Sequence, residues 1–323
     1  MKKLVIFMLG IGLTTNALSQ QKMEFTEYVK GLKQEAREYG ISEQTIESAF
    51  ANVEYKPRAI KADKNQPEKK LTLDEYIPRA VPDWKIKQAR ALYKEHYEDL
   101  NRIGLEYGVQ PRFIVALWGV ESNFGRFTGG YNVIDALTTL AYDGRREAFF
   151  KKETMAALTI LEQEHISIDN MKGSWAGAMG QSQFMPSSFV HYAVDGNGDG
   201  KIDIWNTKPD VFASAANYLK SHGWNDKYTW GRQVSVPENL SANLTGRQQD
   251  KAKTLQEWND LGVRKLNGAS LPQITPDIDA WLIMPDDKGG RSYLIYGNYQ
   301  TLMKWNRSYY FGLAVSHLAD KIN

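Results

Sequence analysis

Glu121 stands at the end of an apolar run. The eight residues 113–120, Phe-Ile-Val-Ala-Leu-Trp-Gly-Val, are all apolar or small, and Pro111 ahead of them suits a first helical position. A helix buried nearly all round should therefore carry this carboxyl group at its end. Three and four positions away along that helix stand Leu117, Trp118, Phe124 and Gly125, none of them a cation. A carboxyl group set against apolar surface without a charge partner is harder to ionise, so its pKa should rise. A general acid working near neutral pH needs that property. The purely structural uses of the same residue would be a helix cap or an ion pair with a distant arginine.

Two further stretches carry chemistry. Gly173-Ser-Trp-Ala-Gly-Ala-Met-Gly-Gln-Ser-Gln-Phe-Met-Pro186 sets small residues among Ser174, Gln181 and Gln183, a pattern that lets backbone approach a ligand while amides point at it. A tight helix-packing turn would use the same residues. Asp195-Gly-Asn-Gly-Asp-Gly-Lys-Ile-Asp203 has the spacing of an EF-hand calcium loop: Asp195, Asn197, Asp199 and Asp203 at positions 1, 3, 5 and 9, glycine at 6, and the backbone carbonyl of Lys201 at 7. Position 12 holds Asn206 where a bidentate Glu is usual, and the next carboxylate is Asp210, so one of these two must close the loop. A calcium ion supporting the fold is the expectation, with a metal-free Asp/Gly turn as the alternative. The chain has no cysteine and its five histidines are scattered, so no His or Cys cluster suggests zinc.

The elements that must position these residues are mostly helical. Apolar spacing over 25–52 gives two short amphipathic helices broken at Gly40. Residues 55–72, with Pro57, Pro67 and many lysines, read as a surface linker. Between Trp84 and Tyr107 the spacing predicts one long helix stopped by Gly108. Helices follow over 132–164, interrupted at Asp143-Gly144, and over 211–223, carrying Asn217 and Tyr218. The character then changes to β-rich runs at Gln233, Asp279 and Arg291 separated by Pro, Gly and Asn, which predict a small antiparallel sheet over about 232–298. A helix or helix pair closes the chain from Tyr299.

Composition narrows the function classes. A chain of 323 residues, 42% hydrophobic, can bury a large core. Lys2 and Lys3, an apolar run of about ten residues and Ala17-Leu-Ser19 read as an export signal over 1–19, too short for a membrane span of about twenty. Its removal leaves the basic residues equal in number to the 38 acidic ones, so there is no bulk attraction to nucleic acid. Without a cysteine no lipid can be attached at the cleavage site, and the expected product is a soluble exported protein. Aromatic side chains, 9 Trp and 17 Tyr, are available to stack on sugar rings as well as to fill a core.

Taken together, Gly119-Val-Glu-Ser-Asn-Phe-Gly125, Leu137-Thr-Thr-Leu-Ala141, Gly173-Ser-Trp-Ala-Gly-Ala-Met-Gly180, Gln183-Phe-Met-Pro-Ser-Ser188, the acidic loop and Asn306-Arg-Ser-Tyr-Tyr-Phe-Gly-Leu-Ala-Val315 resemble the membrane-bound lytic murein transglycosylase B family. The resemblance implies an α+β, mainly α protein: a helical region to about 105, a lysozyme-like core over 106–231 holding the calcium loop, a β region over 232–298, and a C-terminal helix over 299–323 returning to the core. It implies a periplasmic enzyme whose partners are peptidoglycan glycan strands and other cell-wall enzymes. Glu121 would be the sole catalytic carboxylate, with Ser174, Gln183, Tyr218 and Asn306 lining the glycan site. Two features depart from the family: the missing lipid-anchor cysteine, and one extra residue before Asp210, the best match to the family's last calcium ligand.

Glycosidases usually place two carboxylates across the scissile bond. Here the nearest acid after Glu121 is Asp135, and the glycine-rich stretch has none. One carboxylate would then act first as acid and afterwards as base, closing a 1,6-anhydro ring on the muramyl unit. The rival readings are a muramidase, with a second acid brought from a distant loop to activate water, and a noncatalytic wall-binding protein.

Overall fold

The structure, a computed structural model, describes residues 24–65, 71–286 and 289–322, so the export signal read over 1–19 lies outside the described residues. Fourteen α-helices and six short strands appear among them. None of the helices is long and apolar enough to cross a membrane.

The N-terminal pair, Phe25–Tyr39 and Glu43–Phe50, turns at Gly40, whose φ of 98° is one that side chains disfavour. The Ser42 hydroxyl then accepts from the Thr45 amide and caps the second helix. Two expectations need correction here. The stretch 55–72 is not simply a linker: Pro57–Lys64 is helical, with Ala59, Ile60 and Asp63 buried, and Leu73–Ala80 begins a further helix behind the reciprocal Thr72/Glu75 capping box. The long helix is two, Asp83–Glu95 and Tyr97–Tyr107, separated at His96. The His96 ring sits there between Trp118 and Phe212, at centroid distances of 6.0 and 5.6 Å, so tertiary packing interrupts a pattern that would otherwise run on.

The Pro111–Ser122 helix is the centre of the main core, with every residue from Phe113 to Gly119 buried. It is surrounded by Asp83–Glu95, Tyr97–Tyr107, Lys208–Ser221 and the C-terminal Tyr309–Ala319. The all-round apolar character of Phe113–Gly119 follows from this enclosure, since none of these residues is left on a water-facing side. The helices Val133–Asp143 and Glu147–Glu162 pack on each other beside it and break at Gly144, φ 90°.

The β region is a four-stranded antiparallel sheet, with Arg264–Lys265 next to Gly231–Ser235, then Ser292–Ile295, then Trp281–Ile283. Successive side chains on Ser292–Ile295 serve different cores. Tyr293 and Ile295 join the main helical core, while Leu294 joins a smaller one built on Trp258, Val234 and Leu282. The period-two pleat thus fastens the sheet to the helices on one face and to its own loops on the other.

A two-stranded ribbon pairs Tyr131 with Gly173 and Asn132 with Lys172, joining the segment after Glu121 to the glycine-rich stretch. Gly129, φ 92°, makes this approach possible, because a Cβ there would lie 2.1 Å from the Gly173 carbonyl oxygen. Gly129→Ala should therefore destabilise the protein by at least about 1–3 kcal/mol in denaturant unfolding. Gly130→Ala, with open space around it, should leave stability unchanged. Equal stabilities would mean that the two segments can part freely.

Candidate active site

Glu121 is the penultimate residue of the Pro111–Ser122 helix. Beyond it Asn123 and Phe124 both take left-handed backbone angles, φ 51° and 59°. Phe124 folds back over Gly119, where a Cβ would lie 2.6 Å from its ring, and its amide donates to the Trp118 carbonyl at 3.1 Å. The chain reverses at once, and the carboxyl group is left where the helix stops.

Trp305, the last residue of Gly297–Trp305, donates its indole N–H to Glu121 Oε1 at 2.6 Å. The residue as a whole is partly exposed, but its carboxyl group is packed about by protein. Burial pushes it up to about 7, and the indole hydrogen bond, which favours the ionised form, opposes that rise. No charged side chain contributes to either effect. Tyr76, half-buried on Leu73–Ala80, lies close enough for the Glu121 charge to help raise its phenol above the ordinary range, after burial. The Tyr76 ring meets Tyr310 edge-on at 5.3 Å. Tyr310 donates to Asp286, whose other carboxylate oxygen accepts from the Leu73 amide at 2.8 Å.

The four residues expected to line the glycan site are placed as follows. Tyr218 is buried, with its hydroxyl donating to the Lys304 carbonyl at 2.9 Å and its ring edge-on to Trp305 at 4.8 Å. It stands behind the indole that touches Glu121. Gln183, at φ 50°, donates through Nε2 to the carbonyls of Thr128 at 3.1 Å and Gly180 at 2.9 Å, tying the glycine-rich stretch to the loop after Glu121. The Ser174 hydroxyl accepts from the amides of Ala176 and Ala178 at 3.3 and 3.1 Å and so closes its own turn. Asn306 is exposed, with its side-chain oxygen accepting from the Ser308 amide at 3.0 Å.

Gln181 departs from the expectation that its amide faces a ligand. It is buried, accepting from the Trp118 indole at 2.8 Å and donating to the Trp205 carbonyl at 2.8 Å, while its own carbonyl takes the Ser122 hydroxyl at 2.7 Å. Trp305, Phe184 and Tyr76 escaped the sequence reading as site residues. Phe184 packs against both Trp305 and Tyr218, at 5.2 and 5.8 Å. The Thr72/Glu75 capping box is the one local signal that could have located the helix bearing Tyr76.

In the acidic loop the carboxylates turn toward backbone amides. Asp195 accepts from Gly198 and Gly200, both at 2.7 Å, and from Asn197 and Asp199, both at 3.3 Å; these bonds, Gly200's first, hold its pKa below the usual carboxylate range. Asp199 accepts from the Lys201 amide at 2.9 Å, and Asp203 caps the turn at Trp205 and Asn206. Asp210 joins the two limbs, accepting from Gly196 at 2.9 Å and Asp203 at 2.7 Å. Burial raises its pKa, and the charges of Asp195 and Asp199 add to the rise. Among the described residues no three Asp, Glu or His side chains converge as a ready metal cluster. The donors are nonetheless all oxygen, and the crowding of charge at Asp210 is what a hard divalent cation relieves.

Residues 24–320 match the family described as the transglycosylase SLT domain. The chain is 37% identical over 243 residues to the membrane-bound lytic murein transglycosylase B of Escherichia coli (strain K12), a match that takes in 73% of this chain and 63% of that protein's length. It superposes on SltB3 of Pseudomonas aeruginosa in complex with NAG-NAM-pentapeptide with a TM-score of 0.88 and 38% identity, covering 92% of this chain and 79% of that one. The Escherichia coli lytic transglycosylase Slt35 in complex with calcium superposes with a TM-score of 0.77 and 26% identity, covering 91% and 92%. With the lysozyme-like helical core and the small antiparallel sheet already in view, these likenesses place the chain in the transglycosylase SLT domain family.

Proposed function

We propose that the protein is a lytic transglycosylase that cleaves the β-1,4 bond between N-acetylmuramic acid and N-acetylglucosamine in peptidoglycan, with Glu121 serving first as acid and then as base. The carrying observation is a buried carboxyl group with a pKa of about 7, no charged side chain acting on it and an indole N–H on one oxygen at 2.6 Å. Family membership and the likeness to lytic transglycosylases support the reaction class. Near neutral pH both protonation states of Glu121 are populated, as a group that gives and then retakes a proton requires.

In the first step protonated Glu121 delivers its proton to the glycosidic oxygen as the bond to the muramyl anomeric carbon breaks. The Trp305 indole steadies the carboxylate so formed. In the second step that carboxylate takes the proton of the muramyl 6-hydroxyl, whose oxygen attacks the anomeric carbon of the same sugar. Both ends of the new bond belong to one residue, so ring closure outruns capture of water. The product is a 1,6-anhydromuramyl end, and no water is consumed. Ser174, Gln183, Tyr218 and Asn306 are proposed to shape the glycan face, Tyr218 by backing Trp305 and Gln183 by fixing the loop after Glu121. The export signal read over 1–19 together with a peptidoglycan substrate supports a periplasmic location.

Calcium is proposed as a structural ion. Asp195, Asn197, Asp199, the Lys201 carbonyl and Asp203 would hold it, with Asp210 closing the loop. A carboxylate has about four lone-pair sites, so those now serving amides can also serve a cation. An ion bound only by the folded state stabilises that state as its concentration exceeds the dissociation constant.

Glu121→Gln should fold normally and lose roughly 10²- to 10⁴-fold in lytic rate on isolated sacculi. Mass spectrometry of parent digests should show anhydro ends, each one water lighter than a reducing end, and reducing ends alone would establish hydrolysis instead. The acid role requires protonated Glu121, so activity should fall as pH rises through about 7. Trp305→Phe removes the one hydrogen bond that lowers this pKa, and the alkaline limb of the pH profile should move to higher pH; a downward move would contradict the assignment. Chelator should lower the melting temperature and calcium restore it, while lytic activity persists at temperatures where the chelated protein stays folded. Loss of turnover without loss of folding would bring the ion into the chemistry.

A further inference from the structure

The acid helix keeps one small space beside its carboxyl group. Ile114, Leu117, Trp118 and Glu121 lie on a single face of that helix, and across from them Lys208–Ser221 contributes apolar side chains alone. Between the two helices is a cavity of about 10 Å³, room for a single water, with Ser182 and Trp305 completing its wall. The apolar residues around it belong to the main core, so the cavity lies on the core side of the carboxyl group.

The polar side chains of this wall are unevenly satisfied. Both indoles are committed, Trp118 donating to Gln181 at 2.8 Å and Trp305 to Glu121 Oε1 at 2.6 Å. Ser182 is not. It is 3% exposed, and its hydroxyl oxygen is buried without a hydrogen-bond partner among the described residues. Such a hydroxyl has lost its hydration with nothing in return, which native structures rarely tolerate. Its backbone is pinned on both sides. Gln181 donates its N–H to the Ile204 carbonyl at 2.8 Å, and Gln183 holds the carbonyls of Gly180 and Thr128 through Nε2.

We propose that Ser182 is a positioning residue whose hydroxyl fixes one water in this cavity, and that the water donates a hydrogen bond to the Glu121 carboxyl group from the core side. The inference rests on the reading of Glu121 as acid and base and deepens it. The wall sets the direction of the chain of bonds. Indole N–H groups only donate, and the remaining side chains are apolar, so the hydroxyl proton goes to the water oxygen and the water turns a proton to Glu121. A donor placed there favours the carboxylate over the acid. Trp305 stays the one direct protein donor, and with a second bond from the core the carboxyl group keeps one orientation through both proton transfers. From Asp83–Glu95, Tyr97–Tyr107, Lys208–Ser221 and Tyr309–Ala319, the helices packed on the acid's own, no charged side chain acts on Glu121. Tyr76 is its titratable neighbour, and that phenol, raised by burial, stays neutral near pH 7.

Ser182→Ala leaves the water a single polar side chain, too few partners to hold it. The alkaline limb of kcat/KM on isolated sacculi should then move up by about half to one pH unit, the shift that one hydrogen bond gives. Ser182→Cys, a weaker donor of similar size, should move it less. A limb that stays in place or moves down overturns the proposal, and a fall in melting temperature with the limb unmoved makes Ser182 a packing residue. Infrared titration of Glu121, taken as the difference between each protein and its Glu121→Gln variant, reads the same shift without turnover. It therefore decides the role of Ser182 even where no lysis is found and the lytic reading fails. A crystal structure of the parent that resolves ordered solvent needs no variant. It should show one water within hydrogen-bond distance of both Ser182 Oγ and the Glu121 carboxyl group, and a dry cavity overturns the proposal.

Discussion

An acid kept from water and from any cation is the constraint on which the rest of this structure turns. Burial holds Glu121 at about 7 against an ordinary 4.5, and the Trp305 indole is the one group working in the opposite direction. A folded-state pKa above the unfolded value means that Glu121 favours the fold fully only below about pH 4.5, and that this contribution is lost as pH rises through 7. A rise from 4.5 to about 7 corresponds to roughly 3–4 kcal/mol, since each pKa unit is about 1.4 kcal/mol. The surrounding helices must supply that from apolar packing, and the encirclement of Pro111–Ser122 on every side is the means.

Gln181 shows how the acid is held in register with its surroundings. Its side-chain oxygen takes the Trp118 indole of the acid's own helix, its amide reaches the Trp205 carbonyl just past the acidic loop, and its backbone N–H donates to Ile204 at 2.8 Å. Ser122, next to Glu121, closes the circuit through the Gln181 carbonyl. Leaving any of these buried groups unmatched would cost about 1–3 kcal/mol. These bonds tie the acid helix, the glycine-rich turn and the acidic loop together. Asp286 does similar work elsewhere, joining the β region to the helix of Tyr76 and to Tyr310.

How much of this was legible in the sequence follows from the range of the interactions. The isolation of Glu121 was readable because it depends on neighbours three and four positions away, and the sheet and most helices were readable from periods of two and 3.6. Pro57–Lys64 was hidden because proline and lysine mark exposed chain, and only tertiary contact buries Ala59 and Ile60. The break at His96 was hidden because it answers to Trp118 and Phe212. Gln181 looked like Gln183 in the sequence, yet one amide faces the core and the other braces a loop, a difference set by the left-handed turn at Gln183. Trp305 had no local signature, since nothing in its own segment indicates the acid it meets.

That last contact bears on the order in which the protein acquires its chemistry. Glu121 and Trp305 are 184 positions apart, and the helix returning behind them, Tyr309–Ala319, is the final one described. Chains tend to fold from the end made first. A chain growing in that order has its acid early and its indole late, so the carboxylate is made well before the donor that steadies it and before the helix that packs on its own. A chain lacking the segment that carries Trp305 would hold the acid without its indole donor.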